Sequence, residues 1–238
     1  MNIALITAGG VGNRMGQDVP KQFMTIDNCP VIIYTMLAFQ NCAEIDHIAV
    51  VCLNGWETML QAYAKQYRIT KLTWIFPSGD SNQASIFNGI RGLREAGCGD
   101  DSLVLIHDGV RPLVSTGIIS RNISTALRYG AAVTGLKCKE VIMELENDVV
   151  KYIGTPRERL VRTQTPHTYH LGVIYSSLLE AEQKGLEMAA ACNLVAFLGE
   201  HPQCFVEGSE RNGLKLTNPE DIDLFQALLH TEKELWIK

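Results

Sequence analysis

Ile3-Ala4-Leu5-Ile6-Thr7-Ala8-Gly9-Gly10-Val11-Gly12-Asn13-Arg14-Met15-Gly16 opens the chain, and Val19-Pro20-Lys21-Gln22-Phe23 follows after two further residues. An apolar run of the kind buried on both faces of a sheet ends in a glycine-rich turn. Glycines carry no Cβ, so backbone N–H groups can approach anionic oxygens, and Arg14 and Lys21 bring positive charge. The stretch reads as a first strand that delivers a phosphate-holding loop. Two better-known loops do not fit it. G-x-G-x-x-G requires glycine where Met15 stands, and an acid after the second strand, where Leu53-Asn54 stand. The P-loop requires lysine after its last glycine, and Gln17 follows Gly16. NAD or FAD binding by an oxidoreductase is thereby set behind phosphate binding.

Outward from this loop the chain alternates. A helical pattern from Pro30 to Cys42 leads to a β-branched strand from Ile45 to Leu53. Asn54 reads as the cap of a helix over Gly55 to Tyr67, and Leu72 to Phe76 reads as strand three. A turn at Ser78-Gly79-Asp80-Ser81 opens a helix to Ala96. Ser102 to His107 is strand four, followed by Asp108-Gly109-Val110-Arg111-Pro112. Ser115 caps a helix that Gly130 ends, and Ala131 to Leu136 is strand five. Such alternation predicts an α/β fold, a three-layer α/β/α Rossmann-like arrangement on a mainly parallel sheet. The glycine loop, Gly79-Asp80 and Asp108 to Arg111 all follow strands, so they are expected to gather on one sheet edge.

After residue 136 the rhythm breaks. Cys138 to Gly154 reads as a projecting β-hairpin, with strands Val141 to Leu145 and Val149 to Ile153. Arg157 to Tyr169 reads as an irregular, charged connection. Helices are expected over Gly172 to Lys184 and Glu187 to Leu198, and short strands at Phe205 to Glu207 and Leu214 to Leu216. Asn218 caps a last helix with Pro219 at its first position. With no linker or repeat, residues 1–238 are expected to form a single domain.

Composition narrows the function. Of 238 residues, 46% are hydrophobic and 20% charged, the balance of a globular protein. A net charge of −5 offers no general attraction to nucleic acid and favours a small-molecule ligand. No apolar run reaches the ~18 residues of a membrane span, and Ile3 to Thr7 is too short for a signal segment. Seven scattered cysteines without C-x-x-C read as reduced core thiols, and the expectation is a cytoplasmic protein. No H-x-x-x-H pair suggests zinc.

Four motifs then resemble one family. A-G-G-V-G-N-R-M-G with V-P-K-Q-F is similar to the signature of nucleotidyltransferases of the GT-A-like, nucleotide-diphospho-sugar transferase fold. H-D-G-V-R-P (107–112) resembles H-D-x-x-R-P, Q-T-P-H-T-Y (164–169) resembles Q-T-P-Q-x-F, and L-K-L-T-N-P-E-D (214–221) resembles I-K-V-T-x-P-E-D. The resemblance is to the cytidylyltransferases that couple CTP to a polyol phosphate, of which two kinds act on 2-C-methyl-D-erythritol 4-phosphate and on ribitol 5-phosphate. It implies Mg²⁺-dependent transfer of CMP from CTP, with pyrophosphate leaving. Catalysis of that kind is mostly positioning and electrostatic stabilisation of charge on the phosphoryl oxygens.

The resemblance also implies roles. Ala8, Gly9, Gly10, Gly12, Arg14, Lys21, Gly79, Asp80 and Ser85 would hold CTP. Arg14, Lys21 and Lys215 would be catalytic. Asp108, Arg111, Arg157 and Lys215 would meet the acceptor, with Asp108 available to Mg²⁺. A carboxylate at a strand end in an anionic site has a reason to be there if it binds a cation or a hydroxyl. Arg157 lies in the cluster Arg157, Arg159, Arg162, which leaves open which arginine faces the acceptor phosphate. The hairpin at 138–154 would embrace a second subunit, giving a homodimer.

The chain departs from the family pattern at several positions. Asn82 stands where the family often has arginine, Glu140-Val141 where it has D-T, and Ala189-Ala190-Ala191 where a helix begins T-D-E/A. The nucleotide-loop residues stay and acceptor-side ones change. Gly-Val-Gly-Asn-Arg-Met-Gly and Asn54-Gly55-Trp56 lean toward the ribitol 5-phosphate branch. A nucleotide-binding homologue without catalysis, or with altered specificity, is the alternative.

Overall fold

The structure is a computed structural model that describes residues 1–10 and 19–231. In chain order the elements are β1 (Asn2–Ala8), β2 (Thr25–Ile26), β3 (Cys29–Pro30), α1 (Val31–Gln40), β4 (His47–Cys52), α2 (Glu57–Gln66), β5 (Leu72–Pro77), α3 (Asn82–Glu95) and β6 (Leu103–Asp108). They continue with α4 (Thr116–Tyr129), β7 (Ala131–Lys137), β8 (Glu144–Glu146), β9 (Val149–Lys151), β10 (Val161–His170), α5 (Leu171–Lys184), α6 (Ala191–Leu198), β11 (Cys204–Glu207) and α7 (Pro219–His230).

A seven-stranded sheet runs β11-β7-β10-β6-β1-β4-β5. Its neighbours are parallel except at β10, which is antiparallel to both β6 and β7. Period-two alternation of apolar residues makes the sheet two-sided. Along β1, Ala4, Ile6 and Ala8 face one core with α1, α2 and α4, while Ile3 and Leu5 face another with α3, α5 and α6. That is the expected α/β/α sandwich. From β1 the chain steps outward through β4 to β5, then returns to place β6 on the other side of β1. At such a reversal the loops leaving the strand C-termini part and form a crevice.

The hairpin β8–β9 is present but short, turning through Asn147 and Asp148, both in the left-handed region at φ 49° and 62°. Val141, Leu145, Val150 and Tyr152 on this arm are all exposed. No helix among the described residues is long and apolar enough to cross a membrane.

Four local expectations fail. Residues 157–169 are not an irregular connection: after a 3-10 turn at Arg157–Arg159, β10 fills the slot between β6 and β7. Leu214 to Leu216 pairs as no strand; Leu214 and Leu216 pack with Phe225 of α7, and the Leu216 N–H donates to the Val110 carbonyl at 2.9 Å. Asn54 does not cap α2, which begins later, with Glu57 accepting the Gly55 N–H at 2.9 Å. The helix expected from Glu187 begins only at Ala191, as α6.

Candidate active site

Loops from the ends of β1, β4, β5 and β6 enclose a cleft of about 520 Å³. Ala8, Gly9, Gly10 and Lys21 form one wall. Gly79, Asp80 and Ser85 face them, and Asp108 and Lys215 close the far end. Residues far apart in sequence thus meet as anticipated. Gly12 and Arg14 lie outside the described residues.

The first half of the cleft is built by close approach. A Cβ on Gly9 would collide with the Ser78 side chain, so the loops after β1 and β5 can touch only with glycine there. On Gly79 a Cβ would come within 2.7 Å of the Ala84 Cβ. Ser85 fastens this turn. Its Oγ accepts the Gly79 N–H at 3.0 Å and lies 3.3 Å from the Gly79 carbonyl, to which it donates. The hydroxyl is therefore committed to shaping the turn, and the backbone beside it is what the cleft presents.

Gln22 was not among the residues singled out from the sequence. It is buried, and its Nε2 donates to the Ala8 carbonyl at 2.8 Å and the Gly10 carbonyl at 2.9 Å. The 3-10 turn Lys21–Phe23 thus turns Lys21 to the cleft and Gln22 onto the loop. Its signal was its place beside Lys21 in Val-Pro-Lys-Gln-Phe.

The second half is built of charge. Asp108 Oδ2 accepts from Arg111 Nε at 2.8 Å and from Lys215 Nζ at 3.1 Å. Burial pushes the Asp108 carboxyl up, but Lys215 and Arg111 together outweigh it and hold the group well below the usual carboxylate range. It is ionised at any working pH. Arg111 Nη1 also donates to the Gly213 carbonyl, tying the loop that carries Lys215 to the end of β6.

Beneath Asp108 lies a chain of hydrogen bonds that the sequence did not suggest. His107 is fully buried, and its Nε2 lies 3.2 Å from the Arg111 carbonyl. A carbonyl only accepts, so Nε2 carries the hydrogen and Nδ1 is the acceptor. Thr165 donates to Nδ1 at 2.9 Å and accepts the Asp108 N–H at 3.2 Å. Burial lowers the His107 pKa to about 4, so the ring is neutral at pH 7. This network fixes the backbone of His107 to Arg111, and with it the direction of the Asp108 carboxylate.

Arg157 does not line the cleft within one chain. Half exposed, it donates to the Lys139 carbonyl at 3.1 Å and pairs with Glu158. Of the three clustered arginines it is Arg162, paired with Glu210, that shares a hollow with Arg111 and Lys215.

The donor set bears on a metal. Among the described residues no three His, Cys, Asp or Glu side chains gather as a ready-made cage. Mg²⁺ is commonly held by one or two carboxylates together with substrate phosphates and water. Asp108 fits that pattern: both cations sit on Oδ2, which leaves Oδ1 for a further ligand.

Over residues 2–231 the chain matches the family of 2-C-methyl-D-erythritol 4-phosphate cytidylyltransferase. It belongs to this family. A ribitol-5-phosphate cytidylyltransferase of Lacticaseibacillus paracasei is 38% identical over 240 residues, covering 99% of this chain and 100% of its own. A 2-C-methyl-D-erythritol 4-phosphate cytidylyltransferase of Desulforamulus reducens is 37% identical, covering 95% of each chain. The crystal structure of 2-C-methyl-D-erythritol 4-phosphate cytidylyltransferase from Thermus thermophilus superposes with a TM-score of 0.75 at 30% identity, over 96% of this chain and 98% of that one. The resemblance drawn from four short motifs thus extends along the whole chain, in fold and in the class of enzyme, a nucleotidyltransferase.

Proposed function

We propose that this protein transfers CMP from CTP to a polyol phosphate, ribitol 5-phosphate in preference to 2-C-methyl-D-erythritol 4-phosphate, releasing pyrophosphate. The observation that carries the reading is the division of one cleft. A close-packed glycine wall suited to a nucleotide adjoins an ionised aspartate clamped between two cations. The preference for ribitol rests on relatives of that name at 35 to 38% identity and on the glycine-loop pattern.

In this reading the backbone of Ala8, Gly9 and Gly79 reads the cytosine edge, with Asp80 and Ser85 shaping that wall. Gly10, Gly12, Arg14 and Lys21 hold the triphosphate. An acceptor phosphate oxygen attacks the α-phosphorus as pyrophosphate leaves. Arg14, Lys21 and Lys215 offset the charge that builds on the α-phosphoryl oxygens. Asp108 and Arg111 orient the polyol hydroxyls. Mg²⁺, bound by the CTP phosphates and Asp108, would add positive charge at the same centre.

The acceptor phosphate is met by Lys215 and by an arginine of the 157–162 cluster. Arg157 reaches a cleft only if a second copy supplies it, and the exposed apolar arm at 138–154 supports a homodimer of single-domain subunits. Pyrophosphate release with CTP across ribitol, methylerythritol, xylitol and glycerol phosphates tests the reading. Turnover greatest on ribitol 5-phosphate is expected. CTP bound without turnover on any acceptor would indicate a non-catalytic homologue, and NAD bound with CTP ignored would overturn the reading altogether.

A further inference from the structure

Gln22 is 1% exposed and sits between cleft-lining Lys21 and buried Phe23. The turn that carries it is held on both sides. Phe23 stacks on Trp56 with ring centroids 4.7 Å apart and an interplanar angle of 17°. The Phe23 N–H donates to the Pro20 carbonyl at 2.8 Å, and the Val31 N–H donates to the Met24 carbonyl at 3.0 Å. Gln22 is thereby mounted on a fixed base, and its side chain reaches back to the loop after β1.

Two carbonyls face its amide nitrogen, that of Ala8 at 2.8 Å and that of Gly10 at 2.9 Å. A carbonyl only accepts, so the NH₂ end of the amide points at them and both of its hydrogens are used. The Ala8 carbonyl also accepts the Leu53 N–H at 3.1 Å. The Gly10 carbonyl has no second hydrogen bond among the described residues. Packing does not fix it either, since a Cβ on Gly10 would meet nothing within 4 Å. The direction of that carbonyl is set by Gln22.

Direction matters to an anion. In a trans peptide the carbonyl and the N–H point opposite ways, so an Ala8 carbonyl turned to Gln22 and Leu53 sends the Gly9 N–H away from them. Such loops hold phosphate through N–H groups, and a carbonyl oxygen aimed at the same place repels it. Glycine is the residue whose φ and ψ least resist a peptide turning over. A Gly9-Gly10 loop therefore needs donors behind it to keep its carbonyls back. One amide supplies donors to two carbonyls, two residues apart.

We propose that Gln22 is a positioning residue for the nucleotide: by drawing back the Ala8 and Gly10 carbonyls it keeps the glycine loop in the one orientation that accepts a nucleoside triphosphate. It acts through the backbone and not by touching substrate. The proposal rests on the CTP reading above and adds to it the side chain that keeps the loop competent.

The test measures CTP binding by isothermal titration without acceptor, then KM for CTP and for ribitol 5-phosphate. Gln22→Met keeps the length of the side chain and removes both donors. It should weaken CTP binding about 10–30-fold, the scale of two buried hydrogen bonds. The KM for CTP should rise with it, while the acceptor KM stays near wild type. Gln22→Glu keeps the shape but sets a carboxylate against two carbonyl oxygens, and should bind CTP more weakly still. A residue that merely stabilises the fold would move both KM values together. Folded Gln22→Met that binds CTP as wild type does, or that raises both KM values equally, would overturn the inference and leave the function standing. Should Gln22→Met fail to fold, Gln22→Glu decides alone, and CTP binding equal to wild type there would overturn the inference too. Wild-type enzyme that binds no CTP would remove the nucleotide reading and the inference with it.

Discussion

The two halves of the cleft are made by opposite means. The half proposed for the nucleotide is defined by what is missing: Gly9 and Gly79 have no Cβ where one would collide, and Gln22 and Ser85 spend their polar groups holding backbone. The half proposed for the acceptor is defined by what is present: one aspartate, a cation three residues on and another from a distant segment, and a buried histidine and threonine beneath them. Shape specifies the first and charge the second. A base is a flat neutral group that backbone can read by close approach. A polyol phosphate is a flexible anion that must be caught by fixed charges.

The contrast predicts different failures. Lys21→Ala has the largest effect expected, because the proposed function gives this cleft-lining lysine both the triphosphate and the reacting phosphorus. If Lys21 stabilises the transition state as proposed, its loss costs about 3 kcal/mol, on the order of a hundredfold in kcat. Stability should change by less than about 1 kcal/mol, the usual scale for a partly exposed charge. Single-turnover rates beside a urea denaturation curve would check this. Unchanged kcat would remove Lys21 from the chemistry.

A smaller effect concerns acid. His107 and His167 both have native pKa values lowered to about 4 from the 6.5 of an unrestrained ring. A depressed pKa means the unfolded chain binds the proton first. Their contribution is thus fully present above pH 6.5 and is lost as pH falls toward 4. Stability should decline by roughly 1 kcal/mol per pH unit for each histidine across that window. Urea midpoints at pH 7, 6 and 5 read it directly. A flat profile would mean that these rings are solvated and that the hydrogen-bond chain under Asp108 is not formed.

The same contrast explains what could be read from the chain alone. The glycine wall of the cleft was legible because glycines after an apolar strand have few other uses, and because β1, β4 and β6 announce themselves by unbroken apolar runs at 3–6, 48–52 and 103–106. β10 was not. It carries Arg162, Thr163, Gln164, Thr165, His167 and Thr168, with Pro166 in the middle, and reads as surface. It is a central strand because several of its polar groups are met in place: Thr165 by His107, the Pro166 carbonyl by Thr134 at 2.8 Å, and Thr168 by Asn122 at 3.4 Å, while Gln164 Oε1 and His167 Nε2 have no partner among the described residues. Pro166 sits within the register shift between Thr163 and His167, where no ladder bond is asked of it.

Asp108, Arg111 and Lys215 could be assigned only through family resemblance, since nothing local to Lys215 foretells a partner so far back along the chain. Its flanking leucines alternate like a strand. They serve instead to bury one side against α7 and leave the lysine facing Asp108.

The central claim is that one cleft joins a nucleotide half to an acceptor half. A crossed titration tests it most directly, with pyrophosphate release followed while CTP and ribitol 5-phosphate are varied in turn for wild type, Gly9→Val and Asp108→Asn. Gly9→Val should raise the KM for CTP at least tenfold and leave the acceptor KM near wild type, while Asp108→Asn should do the reverse and also lower kcat. Release of pyrophosphate by wild type with both KM values moved together in each variant, or no acceptor-dependent release at all, would contradict the account.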